Sequence, residues 1–380
     1  EQSGEGKGES GGTRRVIAGS VIVVLVGALF AAGWWVGKPV WDKLTQKKTE
    51  AITDYPGPGF GEISVTIEQG DLGSVIADKL VAAGVIATAG PFIQLFTQAG
   101  DQAASIQPGT YSLSKEMSSA QALGALMNPD KRLAITFTVP EGKRAAEVYS
   151  IVGLALAKAE LDPKADQATI DTTTAEKAAL VEAAAANLEG IGLPAEANRL
   201  VEGWFFPETY SFNLGTTPEA ILKKMVATTI SVLEELKVPR DRWLEVITMA
   251  SMVEKESKLS PDRPKVARTF YNRLDKGMRL QSDATVVYGV KRFDGKTATS
   301  DADRANQNPF NTYVVPELPA GAICNPGREA ISATLSPASG SWLYFVTVNP
   351  ETGETEFNET AEGHDKSVAK WKAWEAAHSK

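Results

Sequence analysis

Cysteine occurs once in this chain, as Cys324, and histidine twice, as His364 and His378. One thiol forms no internal disulfide, and a Cys-rich zinc site needs more ligands than are present. A basic excess is missing as well: 39 Lys and Arg stand against 47 Asp and Glu, for a net charge of −8. That balance excludes the electrostatic footprint of a nucleic-acid binder. Chemistry must rest on carboxylates, hydroxyls, amides and amines, and no metal or organic cofactor is expected. What remains is ordinary. Hydrophobic residues make up 43% and charged residues 23% of 380, enough to bury a core and, by length, to build two or three domains.

Long uncharged runs are also scarce, with one exception. Residues 16–36, VIAGSVIVVLVGALFAAGWWV, are 21 residues without a charge. At 1.5 Å rise per residue they reach roughly 30 Å, the thickness of a bilayer's hydrocarbon core. Trp34 and Trp35 end the run, where indole rings suit the headgroup interface. A cleaved signal peptide would have a shorter apolar region and a following A-x-A site. The expectation is a single transmembrane helix in the cytoplasmic membrane. Lys7, Arg14 and Arg15 before it nearly balance Lys38, Lys43, Lys47 and Lys48 after it, so charge does not set the orientation. Long domains translocate largely regardless of charge, which makes residues 1–15 the expected disordered cytoplasmic tail and the body extracytoplasmic.

Residues 37–61 read as a linker ending in the Pro/Gly phrase TDYPGPGFG. From 62 to 130 the pattern is strand, helix, helix, strand. Ile63, Val65 and Ile67 alternate with polar residues. Leu72, Val75, Ile76 and Leu80 then fall at helical spacing, a short helix covers 91–97, and a strand follows at 109–113. With the opening Gln69-Gly70-Asp71-Leu72 this resembles a LysM module, a small fold associated with N-acetylglucosamine polymers. Residues 131–380 alternate strand at 133–139, an Ala-rich surface stretch at 162–190, long helices at 218–237 and 241–258, and short segments after Arg279. A strand at 343–348 follows. The class is α+β: a transmembrane helix, a small βααβ module and a larger mixed domain.

Candidate chemistry centres on residues 242–257, RWLEVITMASMVEKES. Trp243, Val246, Ile247, Met249, Ala250 and Val253 fill one broad apolar face. Glu254 projects inside that face and Glu256 lies at its edge, beside Met249. Two residues apart, they point to nearly opposite sides and share no site. A carboxyl at an apolar edge has its charged form desolvated, which raises its pKa as a general acid near neutral pH requires. The competing role for either glutamate is a salt bridge to Lys255, Lys258 or a nearby arginine. Ser112-Leu113-Ser114-Lys115 fits S-x-x-K, but no S-D-N or K-T-G completes it. Cys324 lacks a nucleophile context and reads as a lone buried thiol.

Several phrases together resemble one family, the endolytic murein transglycosylases of the MltG (YceG-like) type. They are Glu202-Gly203-Trp204-Phe205-Phe206-Pro207-Glu208-Thr209-Tyr210, Ala250-Ser251-Met252-Val253-Glu254-Lys255-Glu256-Ser257, Phe270-Tyr271-Asn272-Arg273-Leu274, and the run from Gly277 through Gln281-Ser282-Asp283-Ala284-Thr285 to Gly289. Asn308-Pro309-Phe310-Asn311-Thr312-Tyr313, Leu318-Pro319-Ala320-Gly321 and Leu343-Tyr344-Phe345-Val346 complete the order. The likeness covers roughly residues 60–375, and the expected anchor and LysM-like module fit the family's layout.

The resemblance implies cleavage of the MurNAc–GlcNAc bond within nascent peptidoglycan, leaving a 1,6-anhydro-MurNAc end. It puts the catalytic glutamate on Glu256. That group would protonate the glycosidic oxygen and then take the proton of the MurNAc C6 hydroxyl as this oxygen attacks C1. No water enters, so the second carboxylate of an ordinary glycosidase is not needed. Gln281, Asp283, Thr285, Asn311 and Tyr313 become candidates to hold sugar groups or to orient Glu256, with Glu202 and Tyr210 completing the cleft. For each, substrate contact and structural hydrogen bonding are both open. Glu254 is at most a supporting partner. Expected partners are glycan strands, the cytoplasmic membrane and the cell-wall synthesis complex.

Three departures from the family pattern stand out. Ala284 replaces a usual proline, Glu208 a usual aspartate, and Thr355 a frequent histidine. None touches Glu256. Two other classes of function stay open beside the transglycosylase: a non-catalytic glycan-binding scaffold, and a hydrolase pairing Glu256 with a distant acid such as Asp283. The products separate the enzymes, since a hydrolase leaves a reducing end.

Overall fold

The computed structural model describes residues 53–162, 164–293 and 299–378. The expected tail, the apolar run at 16–36 and residues 37–52 of the linker lie outside the described residues. Among the described residues, no helix is long and apolar enough to cross a membrane. The chain divides into two compact units, one ending at Lys131 and the other starting at Arg132 and including the short detour Pro108–Thr110.

The first unit runs β1 (Phe60–Ile67), α1 (Gly73–Ala82), α2 (Ala89–Ala99), β2 (Gly109–Lys115) and α3 (Ser119–Met127). β1 and β2 are neighbours in a sheet. Val65 and Ile67 of β1 and Tyr111 and Leu113 of β2 point into a core completed by Ile76, Leu80, Phe92 and Leu126. The alternation of β1 follows from the period-2 geometry of a half-buried strand. In α1 the buried stripe is Ile76, Ala77 and Leu80. Leu72 and Val75, which share the sequence spacing, face solvent instead, Leu72 at 70% exposure. The helix is too short to bury a wide face, and Leu72 stands at its cap.

The second unit opens with β3 (Arg132–Thr138), which pairs antiparallel with β4 (Thr209–Asn213), Phe137 lying opposite Tyr210. Between them run α4 (Ala145–Glu160) and α5 (Gln167–Ala185). α5 buries only Val181 and Ala185, in keeping with an Ala-rich surface helix. It lies against α4 at Gly153, where a Cβ would come 2.7 Å from the backbone nitrogen of Ala178. Then come α6 (Pro218–Glu235), begun by the Thr217 hydroxyl, which accepts from the Ala220 N–H, and α7 (Trp243–Glu256). α8 (Arg263–Asp275), α9 (Asp283–Gly289), α10 (Asp301–Ala305), α11 (Arg328–Leu335), an antiparallel pair β5 (Tyr344–Asn349) and β6 (Glu354–Asn358), and α12 (Ala361–His378) follow.

α7 is the axis of this unit. Its spacing suggests one apolar face, yet every residue from Val246 to Val253 is buried. Ser251 is accommodated because its hydroxyl is satisfied inside. The Ser251 hydroxyl donates to the Thr248 carbonyl at 2.7 Å and accepts the Ile323 N–H at 3.0 Å. The Cys324 thiol donates to the Ser251 carbonyl at 3.3 Å, and burial pushes its pKa well up. It is a packing group, as its lack of context suggests.

Candidate active site

α7 ends at Glu256, because Ser257 turns to extended backbone. The last carboxylate therefore sits where the helix dipole is negative, which disfavours its charged form. Glu256 keeps some exposure to solvent, while its carboxyl group is surrounded by protein. Burial pushes its pKa up, and the negative charge of Asp283 adds to the rise. The Ser282 hydroxyl, the Ala284 N–H and the Arg273 guanidinium pull the other way. Burial wins, so this carboxyl keeps its proton to higher pH than a free glutamate does.

The segment before and at the start of α9 brings the opposing groups together. Ser282 donates its hydroxyl to Oε1 of Glu256 at 2.6 Å. Gln281, just before it, has φ of +52°, a left-handed backbone uncommon in non-glycine residues. Its N–H bonds the Thr312 carbonyl at 3.1 Å and its Oε1 accepts from Arg273 at 3.4 Å. Arg273 of α8 ties this stretch down. Nη1 donates to the Leu280 carbonyl at 2.8 Å and Nε to the Leu343 carbonyl at 2.6 Å. Its guanidinium also lies 5.2 Å from the centre of the Tyr344 ring.

Asp283 opens α9 and is half-buried. It accepts from the Tyr313 hydroxyl at 2.9 Å, from Thr299 at 2.7 Å and from Arg304 at 3.5 Å. Burial first, and Asp283 second, raise the Tyr313 phenol to about 12, so it stays neutral and donates. Asp283 and Tyr313 thus lie within electrostatic reach of Glu256, and Gln281 stands exposed next to Ser282.

Thr285 and Asn311 take the structural of their two open roles. Both are fully buried. The Asn311 amide donates to the carbonyls of Arg304 at 3.0 Å and Asn306 at 2.8 Å. The Thr285 hydroxyl donates to the Ser282 carbonyl at 2.7 Å. Tyr210 stands apart from the cluster: it packs with Phe137 and Phe212 and gives its hydroxyl to the Phe206 carbonyl at 2.8 Å.

Glu202 is buried and holds three elements. It accepts the Ala145 N–H at the start of α4 at 2.9 Å, the Asn325 amide at 3.5 Å, and the Tyr288 hydroxyl at the far end of α9 at 3.2 Å. Burial lifts its pKa to about 7 despite these donors. It braces α9 through Tyr288 and has no hydrogen bond to Glu256.

Glu254 is the ion-paired member of the E-K-E phrase. Its side chain is 7% exposed and meets Arg263 at 2.8 Å, and it accepts the Gly327 N–H at 3.1 Å. Arg263 also reaches Glu329 at 2.6 Å and Glu141 at 3.2 Å. Burial still raises the Glu254 pKa against these partners, so desolvation outweighs the pair, a common result for buried ions.

Sequence reasoning gave no role to Ser282, Thr312 or Arg273. One signal was available for Ser282: serine directly before a short helical phrase is an N-cap type. Here it makes no side-chain cap bond, which leaves the hydroxyl free for Glu256.

Comparison with known proteins supplies a second, independent line. The YceG-like family model matches residues 65–370. An endolytic murein transglycosylase of Bacillus subtilis (strain 168) is 31% identical over 317 residues, covering 81% of this chain and 84% of that protein. An endolytic murein transglycosylase of Streptococcus pneumoniae serotype 2 is 27% identical over 372 residues, 91% of this chain but 64% of the relative's length. A crystal structure of a yceG-like protein from Listeria monocytogenes superposes with a TM-score of 0.49 at 27% identity, covering 80% of this chain and 99% of that one.

Proposed function

The chain belongs to the YceG-like family, and from that premise we propose that it is a lytic transglycosylase of peptidoglycan, a lyase, with Glu256 as its one acid–base group. The observation that carries the assignment of Glu256 is its enclosed carboxyl at the end of α7 with the Ser282 hydroxyl 2.6 Å from Oε1, an environment in which burial raises its pKa. A protonated Glu256 gives its proton to the glycosidic oxygen as the bond from MurNAc C1 breaks. The carboxylate left behind takes the C6 hydroxyl proton while O6 bonds to C1. One proton leaves and one returns, and no water is consumed. Asp283, whose negative charge acts on Glu256, is the carboxylate available to stabilise positive charge developing on the sugar ring, a stabilisation of the kind that dominates many active sites.

The finer parts of the reading are these. Cleavage is endolytic and falls on the MurNAc–GlcNAc bond of nascent strands, ending their elongation with 1,6-anhydro-MurNAc. The run at 16–36 anchors the chain as a single-pass protein of the cell membrane, with the body outside the cytoplasm and near the wall-synthesis complex. The strand–helix–helix–strand order of the first unit supports a LysM-like module beside the catalytic one.

Digestion of uncrosslinked glycan strands by the purified full chain in detergent, beside Glu256→Gln, tests the core of this. General acid–base catalysis contributes roughly 100- to 10,000-fold, and the variant should lose at least the lower figure. Mass spectrometry of wild-type products should find internal fragments with anhydro ends. Reducing ends would replace the transglycosylase with a hydrolase in which Asp283 serves as second acid. Intact strands that still bind both proteins would leave only a scaffold.

A further inference from the structure

The hydroxyls behind Glu256 form a chain whose donors can be assigned one by one. Thr285 Oγ1 donates to the Ser282 carbonyl at 2.7 Å, an oxygen that can only accept. Its contact with Thr312 Oγ1 at 2.8 Å must therefore run from Thr312 to Thr285. Thr312 Oγ1 in turn accepts the Ser282 N–H at 2.9 Å. Both backbone groups of Ser282 are thus clamped by two threonine hydroxyls, and all three residues are buried. The one proton not used within this clamp is that of the Ser282 hydroxyl, and it points to Glu256 Oε1 at 2.6 Å.

We infer that Ser282 is a positioning residue for Glu256: its hydroxyl, fixed by Thr285 and Thr312, holds Oε1 and leaves Oε2 as the oxygen that gives and takes the proton. The inference rests on the reading of Glu256 as the acid–base group. It adds which oxygen works and what keeps it aimed through both steps. An ionised Oε1 accepts the Ser282 proton, and so does the carbonyl-like Oε1 of a carboxyl protonated on Oε2. The bond therefore survives the change of state, whereas a carboxyl without it is free to turn over between proton donation and proton return.

The other groups facing Glu256 do not duplicate this. Asp283 on α9 presents like charge, and Arg273 on α8 is committed to the carbonyls of Leu280 and Leu343. Tyr313 gives its hydroxyl to Asp283. Ala284 offers its backbone N–H, which the Ser282 substitutions leave in place.

The test compares Ser282→Ala, Ser282→Thr and Glu256→Gln in the full chain on uncrosslinked glycan strands, with kcat and KM measured across pH. Ser282→Ala should lower kcat by about tenfold with KM little changed, since a hydrogen bond to a charged group is about that strong in rate terms. It should also move the alkaline limb of kcat up by about one pH unit, because the lost donor favoured the charged carboxylate. Ser282→Thr, which keeps the hydroxyl, should restore both. Wild-type kcat and an unmoved limb in Ser282→Ala, with Glu256→Gln inactive, would overturn the inference and leave Glu256 in its role. Equal losses in both serine variants with the limb unmoved would also overturn it, by making position 282 a matter of loop shape. An active Glu256→Gln would remove the premise itself.

Discussion

Replacing Glu202 by Gln should stabilise the protein at alkaline pH and leave it nearly unchanged in mild acid. Glu202 is buried with its pKa lifted from 4.5 to about 7, burial being the main cause. A folded-state value above the unfolded one means that the native state binds more protons between the two. Stability contributed by the proton is then complete below the unfolded value and lost as pH rises through the folded one. At 1.36 kcal/mol for each pH unit between them, the loss approaches about 3 kcal/mol by pH 8. The amide of Gln keeps the oxygen that accepts the Ala145 N–H and offers an N–H to the Tyr288 oxygen, so the bracing of α4 and α9 persists without a charge. Urea unfolding of both proteins, at pH 5 and at pH 8, reads the difference directly. The Gln variant should be ahead by about 3 kcal/mol at pH 8 and within about 1 kcal/mol at pH 5. A difference that does not change with pH would show that Glu202 does not titrate in this window. A Gln variant that is less stable at pH 8 would show that its ionised form is needed, and the burial argument would fail.

Two further outcomes follow from the same elements. Arg263→Met strands the Glu254 carboxylate in a site 7% exposed and should cost about 3 kcal/mol at pH 8. The loss should shrink as pH falls, because burial raises the Glu254 pKa and the stranded carboxyl is relieved by taking up a proton, so denaturant melts at pH 8 and pH 5 check the sign. Gly203→Ala puts a Cβ 2.6 Å from both Ala322 Cβ and Ile247 Cγ2 at φ of +89°. Overpacking and left-handed strain together should cost about 3 kcal/mol, and a thermal midpoint equal to wild type would contradict that geometry.

Helical periodicity is local, so fourteen residues were enough to put both glutamates at an apolar face; the choice of Glu256 between them came from the family resemblance. The partner of Glu256 was not legible. Ser282 is 26 positions away, and its use depends on how α8 and the segment before α9 fold back. The polar residues of the Q-S-D-A-T and N-P-F-N-T-Y phrases looked alike in sequence as sugar contacts. Folding separates them, because a compact loop must satisfy its own buried carbonyls and amides. Asn311 and Thr285 do that work, while Gln281 stays exposed and Asp283 and Tyr313 half-buried. The two-sided burial of α7 was hidden for a related reason. Ser251 looks like a solvent-facing position until its hydroxyl is seen bonding within the core, to the backbone carbonyl of the equally buried Thr248.

A single group that must be acid and then base works best with a pKa near the operating pH, and the surroundings of Glu256 are arranged as opposing pulls. Burial, the end of α7 and Asp283 favour the proton; Ser282, Arg273 and the Ala284 N–H favour the charge. Ala284 gives the balance a setting of its own in this chain. The proline usual at that position in the family has no N–H to offer, so a proline there leaves the carboxyl with one donor fewer. The Ala284 N–H therefore adds a pull toward the charged form of Glu256. The same oxygen is thereby left more charged for the second step, in which it must accept.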